Sequence, residues 1–228
     1  MKTYCLPGLG TDHRVFQNLI PQLPVTEVVY LDFKEELLPK SGGIEDYALV
    51  LSKEIAKDID YNPDEPILLL GLSLGGFVAV ELHKLLPNSR LILISTIKSK
   101  RERPFVLNLG RRLPLYNLVP TWFSRNMVPL ISRWMRVTDK EGYHLYRQML
   151  KGWSGKTFRW ARRAAVNWRN ENPPEQVLHI HGTRDHIFPH KHIKIEHYIQ
   201  GGSHYMVMDR AKEIAALIKP TLANKINT

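Results

Sequence analysis

A pentapeptide of the form Gly-x-Ser-x-Gly, set between a strand-like and a helix-like segment, constrains this chain more than any other feature. It runs from Gly71 to Gly75, and an apolar run that begins at Pro66 precedes it. The segment that follows has helical spacing. Glycines lack the Cβ atoms that would clash in so sharp a turn, and the turn lifts the serine hydroxyl above a sheet. Ser73 is therefore a candidate nucleophile, and the competing interpretation is a purely structural strand-to-helix turn.

A serine hydroxyl needs a base to take its proton, and that base needs a carboxylate to orient it. Asp185 lies in a loop after the strand-like run 177–181, and His204 lies in a glycine-flanked loop further along the chain. The chain order Ser, Asp, His favours these two residues. The alternatives are a loop-capping role for Asp185 and a packing role for His204, which is one of ten histidines. Asp209 is a weaker candidate for the acid, because it is better explained as a helix N-cap.

The N-terminal segment supplies a glycine-containing loop directly after a strand. The strand-like run 3–6 breaks at Pro7 and Gly8, and we expect a helix from about residue 11 to residue 20. Backbone N–H groups in such a loop, together with the N–H of the residue after the nucleophile, can hold a developing oxyanion. We therefore predict that the amides of Leu9 and Leu74 form an oxyanion hole. The competing interpretation of the loop is a plain tight turn.

Four segments in this order resemble those of the α/β-hydrolase fold superfamily, namely Pro7–Gly10, Gly71–Gly75, His181–Asp185 and Gly202–His204. The resemblance covers about residues 1–97 and 173–220. Many members have a histidine where Pro7 stands, but this difference leaves the amide of Leu9 available. The resemblance implies an α/β fold with a truncated, mostly parallel sheet of about six strands, flanked by helices and carrying a helical cap insertion. It also implies a serine hydrolase.

The composition changes abruptly within the chain. Residues 98–172 contain five Lys and twelve Arg against four acidic residues, a net charge of +13, and the whole chain is +10, so the remainder is −3. All five tryptophans also fall in this segment. In the resembled fold a cap is inserted here, above the active site. We therefore predict a core formed by residues 1–97 and 173–228, and a basic, tryptophan-rich helical cap formed by residues 98–172.

Three hypotheses explain the basic cap. In the first, the tryptophans pack the cap against the core, and the Arg and Lys side chains form a solvated rim. In the second, the basic aromatic surface selects an anionic or amphiphilic acyl substrate or touches an anionic membrane, since interfacial helices combine Arg and Lys with Trp, Phe and Leu. The third is nucleic-acid binding, which the basic pI of about 9.7 would suit. We do not expect it, because no nucleic-acid motif occurs and the catalytic set would go unexplained.

The sequence predicts a serine hydrolase that cleaves a small-molecule carboxylic ester or thioester through an acyl-enzyme. The alternatives are a non-catalytic binding protein with the same fold, or a triad enzyme that performs elimination or acyl transfer. We expect no cofactor and no metal, because the pairs His179/His181 and His190/His192 lack companions at zinc-like spacing. The single cysteine and the lack of a signal-like N-terminal run predict a cytoplasmic location. The oligomeric state is not predicted.

Overall fold

The computed structural model describes residues 1–112, 128–137, 140–195 and 197–223. These residues form fourteen strands and α-helices joined by short 3₁₀ turns. In chain order they are β1 (Thr3–Leu6), β2 (Val28–Tyr30), α1 (Ile44–Ala56), β3 (Ile67–Leu72), α2 (Leu74–Leu85), β4 (Ser89–Ile94), α3 (Phe105–Arg112), α4 (Val128–Trp134), α5 (Lys140–Lys151), α6 (Gly155–Asn167), β5 (Leu178–Gly182), β6 (His197–Ile199), α7 (Met206–Asp209) and α8 (Ala211–Ala223).

One six-stranded sheet forms the centre of the described part of the chain, in the order β2-β1-β3-β4-β5-β6. Every neighbouring pair is parallel. All six residues of β3 are buried, as expected for a central strand covered on both faces, whereas the edge strand β2 is partly exposed. The α/β-hydrolase architecture expected from the sequence is therefore confirmed, and the sheet is parallel throughout rather than mostly parallel.

The strand order places the connections on both faces of the sheet. The chain moves from β1 outward to β2, then back across the sheet to β3 and on to β4. Because such crossovers are right-handed, the β1–β2 connection lies on the face opposite to α1 and α2. The contacts agree with this arrangement, since α1 packs against α2, while α8 packs against β5, β6 and the 3₁₀ turn Ile20–Gln22 of the β1–β2 connection.

Two predicted helices differ from the observed elements. The helix expected from about residue 11 to residue 20 is a pair of 3₁₀ turns, His13–Phe16 and Ile20–Gln22, because Pro21 follows too closely for a regular helix to continue. The hydrophobic spacing predicts an amphipathic helix from Asp46 to Asp60, whereas α1 begins two residues earlier, at Ile44, and ends at Ala56. Ile59, which the periodicity placed on its apolar face, is therefore exposed beyond the helix.

Four helices of the described chain, α3 to α6, lie between β4 and β5, where the cap insertion was expected. Trp122 lies outside the described residues. None of the helices in the described ranges is long and apolar enough to cross a membrane. The division into a core and a cap domain stays a prediction.

Candidate active site

The candidate site lies where the strand order reverses. The chain leaves β1 toward one edge of the sheet and leaves β3 toward the other, so a crevice opens between their carboxyl ends. Open parallel sheets bind ligands at such a switch point. The loop Pro7–Gly10 follows β1, and Ser73 follows β3 directly. The topology alone thus brings together the two sequence segments that were singled out first.

Ser73 occupies a strained turn between β3 and α2. Its φ and ψ are 50° and −117°, a region that residues with a side chain rarely adopt. The turn is tight because a Cβ at Gly75 would lie 2.1 Å from the Leu6 carbonyl oxygen, and one at Gly71 would lie 2.7 Å from the Cα of Gly76. Glycines at these positions therefore let α2 approach β1 at Gly75 and β3 at Gly71.

Hydrogen bonds to the end of β4 and the residues after it also hold the turn at Ser73. The N–H of Ser73 donates to the Ile94 carbonyl at 3.0 Å, and the Thr96 hydroxyl donates to the Ser73 carbonyl at 2.7 Å. The backbone N–H and the backbone carbonyl of Ser73 therefore both have hydrogen-bond partners. Sequence reasoning missed Thr96, because a threonine just after a strand carries no signal of what it contacts.

The structure brings Ser73, His204 and Asp185 into one hydrogen-bonded chain. The Nε2 atom of His204 lies 2.9 Å from the Ser73 Oγ, and its Nδ1 lies 2.8 Å from the Asp185 Oδ2. A carboxylate can only accept, so Nδ1 carries the proton and Nε2 is free to accept the serine proton. Asp185 and His204 are only 3% and 5% exposed, whereas Asp209, the weaker candidate for the acid, is exposed.

The surroundings of Asp185 keep its carboxyl group ionised. Burial alone would raise its pKa, but the neighbouring His204 imidazole, then His181 and the Phe188 amide, outweigh burial and lower the pKa below its ordinary value. The second oxygen, Oδ1, accepts the backbone N–H groups of Ile187 and Phe188 at 2.8 and 2.9 Å. These bonds hold the carboxylate while leaving Oδ2 directed at the imidazole.

His181, at the end of β5, lies against the same carboxylate. Its Nε2 donates to the Phe188 carbonyl at 2.8 Å and lies 3.4 Å from the Asp185 Oδ2. Burial lowers the pKa of His181, which keeps its ring neutral. His181 thus holds the loop that carries Asp185 and does not contact Ser73.

Leu9 lines the cavity at Ser73, and Leu74 follows the nucleophile directly along the chain. Leu74 is the first residue of α2, so its N–H has no partner within the helix. Neither amide donates to an acceptor among the residues described here. The N–H and hydroxyl of Thr11 both donate to the Gly8 carbonyl, at 3.2 and 3.0 Å, and so fix the loop around Leu9. Both amides therefore lack an acceptor among the described residues, and their role as an oxyanion hole stays a prediction.

A small cavity of about 20 Å³ opens at the Ser73 hydroxyl, which is room for roughly one water molecule. Its described walls include Gly8, Leu9, Thr11, Val15, Leu72, Met135, His204 and Tyr205. Met135 lies just beyond α4 and Tyr205 just after the candidate base. Neither was singled out from the sequence, because only tertiary packing brings an apolar side chain from the cap region onto the nucleophile.

A second serine and histidine pair lies at the opposite end of the sheet, beside a depression of about 1040 Å³. The Nδ1 of His83 is 2.8 Å from the Ser89 hydroxyl, but that hydroxyl donates its proton to the Leu86 carbonyl at 2.6 Å. His83 therefore donates to Ser89 rather than accepting from it. This pair cannot activate a nucleophile, although its depression is larger than the cavity at Ser73.

The fold and the site define the class of protein. The chain belongs to the alpha/beta hydrolase family, whose sequence model matches residues 3–217. No curated protein sequence matches the chain.

Solved structures with a similar fold include a hydrolase from Oleispira antarctica, with a TM-score of 0.74, 15% identity, and coverage of 99% of this chain and 92% of that chain. An esterase from Exiguobacterium antarcticum has a TM-score of 0.70, 14% identity, and coverage of 96% and 90%. A putative lipase from Acinetobacter baumannii has a TM-score of 0.73, 14% identity, and coverage of 97% and 83%.

Proposed function

We propose that this protein is a serine hydrolase that cleaves a carboxylic ester or thioester through an acyl-enzyme. The observation that carries the proposal is the chain of hydrogen bonds from Ser73 through His204 to Asp185. In this geometry the imidazole can accept the serine proton as the hydroxyl attacks, and the ionised carboxylate stabilises the imidazolium that forms. The esterase and lipase among the similar structures support the choice of an ester.

The reaction follows from the positions of these groups. The Ser73 oxygen attacks the acyl carbonyl while His204 Nε2 takes the hydroxyl proton, and the Leu9 and Leu74 amides hold the negative oxygen of the tetrahedral intermediate. His204 then gives its proton to the leaving alcohol or thiol, and the acyl group stays on Ser73. A water molecule loses a proton to His204 and attacks the acyl-enzyme, and collapse of the second intermediate releases the acid and restores the serine.

The serine hydrolase proposal is tested by replacing the nucleophile. We expect Ser73→Ala to lower turnover of a p-nitrophenyl ester by about a thousandfold or more, because the oxygen that forms the acyl bond is lost. The variant keeps the Cβ and should fold normally, which circular dichroism and thermal melting check. A fluorophosphonate probe should label the wild-type peptide that contains Ser73 and leave the variant unlabelled.

Two outcomes separate the proposal from its alternatives. Turnover by Ser73→Ala within about tenfold of the wild type would contradict the assignment of the nucleophile. A folded wild type that neither hydrolyses esters nor reacts with the probe would favour a binding protein on the same fold. Product analysis in water and with added alcohol distinguishes hydrolysis from acyl transfer and elimination.

A further inference from the structure

A second pocket, of about 690 Å³, lies beside the Ser73 cavity and has no role in the chemistry above. Its volume is in the range of small-molecule sites. Its described apolar walls are Leu130, Trp134, Val137 and Tyr143, and its described polar side chains are Ser132, Arg133, Arg136 and His186. No carboxylate occurs in this described lining. The sequence itself has no Asp or Glu between Glu102 and Asp139.

The pocket and the Ser73 cavity share a thin wall. Met135 lines the cavity at Ser73, while its two neighbours along the chain, Trp134 and Arg136, line the second pocket. Consecutive Cα atoms are about 3.8 Å apart, so one residue separates the two spaces. On the other side His186 follows Asp185 directly. The lining of the second pocket is therefore continuous along the chain with residues of the proposed site, Met135 and Asp185.

No carboxylate of the described residues neutralises the charge in the pocket. Neither Arg133 nor Arg136 forms an ion pair with a carboxylate of the described residues. Trp134 and Leu130 are 52% and 57% exposed, although large apolar side chains are usually covered. Unpaired guanidinium groups beside exposed apolar surface suit a ligand with an anionic head and an apolar body.

Arg136 also stands where the backbone favours glycine. The N–H of Val137 donates to the Ser132 carbonyl at 2.9 Å, and the N–H of Arg136 donates to the Arg133 carbonyl at 3.1 Å. This pattern is a Schellman motif that ends α4, with Arg136 in the left-handed position at φ 58°. Glycine adopts that conformation without strain and arginine does not. The backbone therefore gives no reason for an arginine here.

We propose that the pocket formed by Arg133, Trp134, Arg136, Tyr143 and His186 binds the anionic group of an amphiphilic substrate. The guanidinium groups hold its carboxylate or phosphate, and the aromatic walls cover its apolar part. The substrate class is thus an ester or thioester that carries an anionic group. The assignment of this ligand as substrate rests on the proposed hydrolase function, whereas binding in the pocket does not.

Binding is tested first, on the Ser73→Ala protein so that no turnover intervenes. Calorimetry at fixed salt compares octyl phosphate and octanoate with octyl glucoside, which has the same chain and no charge. We expect the better anion to bind about tenfold or more tightly than the glucoside, and the comparison between the two anions identifies the preferred head group. Equal binding of all three compounds would overturn the proposal.

Arginine variants test whether the anion binds in this second pocket. Arg133→Gln and Arg136→Gly should each weaken anion binding about fivefold or more, because each removes a charged donor. Arg136→Lys keeps the charge and should restore part of the binding. The matched control is Arg159→Gln, which removes one charge from exposed surface on α6 outside the pocket. If Arg159→Gln weakens binding as much as the pocket variants do, the effect is one of overall charge and the pocket assignment is wrong.

The substrate assignment is tested on the active enzyme. The quantity measured is the ratio of kcat/KM for mono-p-nitrophenyl adipate to that for p-nitrophenyl hexanoate, since the two acyl chains match and only the first carries a carboxylate. We expect the ratio to fall about fivefold or more in Arg133→Gln and Arg136→Gly and to stay constant in Arg159→Gln. If these two variants lose anion binding but keep the wild-type ratio, the ligand of the pocket is not the substrate, although the binding site stands. If the wild type instead hydrolyses neither ester, the proposed function has failed, and calorimetry still decides the binding site.

Discussion

At Ser73 the backbone conformation and the proposed chemistry are coupled, because the turn that strains the residue also aims its hydroxyl at His204. The strain costs on the order of 1–3 kcal/mol and persists only because the surrounding contacts fix it. Here those contacts are the close approach of Gly75 to Leu6, the hydrogen bond that the Ser73 N–H donates to Ile94 and the one that its carbonyl accepts from Thr96. Pre-organisation of this kind lets the hydroxyl meet the imidazole without further rearrangement.

The proposed acid and base should act as one unit. We expect Asp185→Asn and His204→Ala each to lower kcat by about a hundredfold or more, because the first loses the group that orients the imidazole and the second loses the base. Adding Asp185→Asn to His204→Ala should cost less than about threefold further, since the carboxylate has no imidazole left to orient. Steady-state kinetics on one ester gives kcat for the wild type, the two single variants and the double variant.

His181 supplies the control for that series. It contacts the same carboxylate but not Ser73, so His181→Gln should keep kcat within about tenfold of the wild type. The glutamine amide can still donate to the Phe188 carbonyl. The roles of these residues are misassigned if the losses of kcat in Asp185→Asn and His204→Ala multiply in the double variant. They are also misassigned if His181→Gln loses as much kcat as either single variant.

Sequence patterns identified the polar residues of the site better than its apolar walls. Ser73, Asp185 and His204 could be singled out because their chemistry requires particular residue types in a particular chain order, and the structure places them in contact. Their catalytic roles stay proposals. Met135 and Tyr205 could not be found in this way, since an apolar side chain has no signature beyond burial. The position of Arg136 at a glycine-favouring helix end became visible only in the backbone angles.

At the scale of elements, the strands were the most predictable part of the chain. Strands β1, β3 and β5 agree to within about two residues with the expected runs 3–6, from Pro66 and 177–181, because continuous apolar runs bounded by turn residues are typical of a parallel sheet. The prediction of an α-helix in the β1–β2 connection was wrong. Hydrophobic spacing alone does not distinguish a short 3₁₀ turn from the start of an α-helix.

The tryptophans divide between two of the hypotheses for the cap. Trp153, Trp160 and Trp168 are buried, and Trp168 stacks on Phe77 of α2 at 4.3 Å while its Nε1 donates to Glu81 at 2.8 Å. These three pack the segment between β4 and β5 against the sheet and its helices, as the first hypothesis expects. Trp134 is half-exposed in the second pocket, which fits the hypothesis of substrate selection.

Two helical glycines provide a test of the elbow as an element. Gly75→Ala should destabilise the fold by at least about 3 kcal/mol, because its Cβ would lie 2.1 Å from the Leu6 carbonyl oxygen and backbone must move. Gly110→Ala in α3 should instead stabilise by roughly 0.5–1 kcal/mol, since its Cβ would meet only Val166 methyl groups at ordinary distances of 3.7 and 3.8 Å. Urea unfolding measures both. Equal effects of the two substitutions would show that the close approach of α2 to β1 does not constrain the turn.

At the scale of the whole molecule, the charge is unevenly distributed along the chain, with +13 in residues 98–172 and −3 elsewhere. Such an excess attracts anions over about 8 Å at physiological ionic strength, and added salt weakens the attraction. The proposed anion pocket gives part of this charge a specific location. Contact with an anionic membrane, a cytoplasmic location and the absence of nucleic-acid binding stay predictions from the sequence.

Buried histidines in β5 make the stability of the whole molecule depend on pH. Burial lowers the pKa of His179 well below its ordinary value, with help from His181 and Lys98, and burial likewise lowers the pKa of His181. Below about pH 6.5 the unfolded chain therefore binds protons that the folded chain does not. Folding stability should fall as the pH drops from about 6.5 toward the folded pKa values, by roughly 1.4 kcal/mol per pH unit for each histidine.

The variant that isolates this effect is His179→Gln, because a glutamine amide can keep the donor to the Thr96 carbonyl that His179 Nε2 contacts at 3.1 Å, and it does not titrate. We expect urea unfolding at pH 7.5 and at pH 5.5 to show a smaller loss of stability in His179→Gln than in the wild type. His192→Gln, at an exposed position, should leave the loss unchanged. If His179→Gln loses as much stability as the wild type, protonation of β5 does not drive the acid sensitivity, and the linkage argument for these buried rings is wrong.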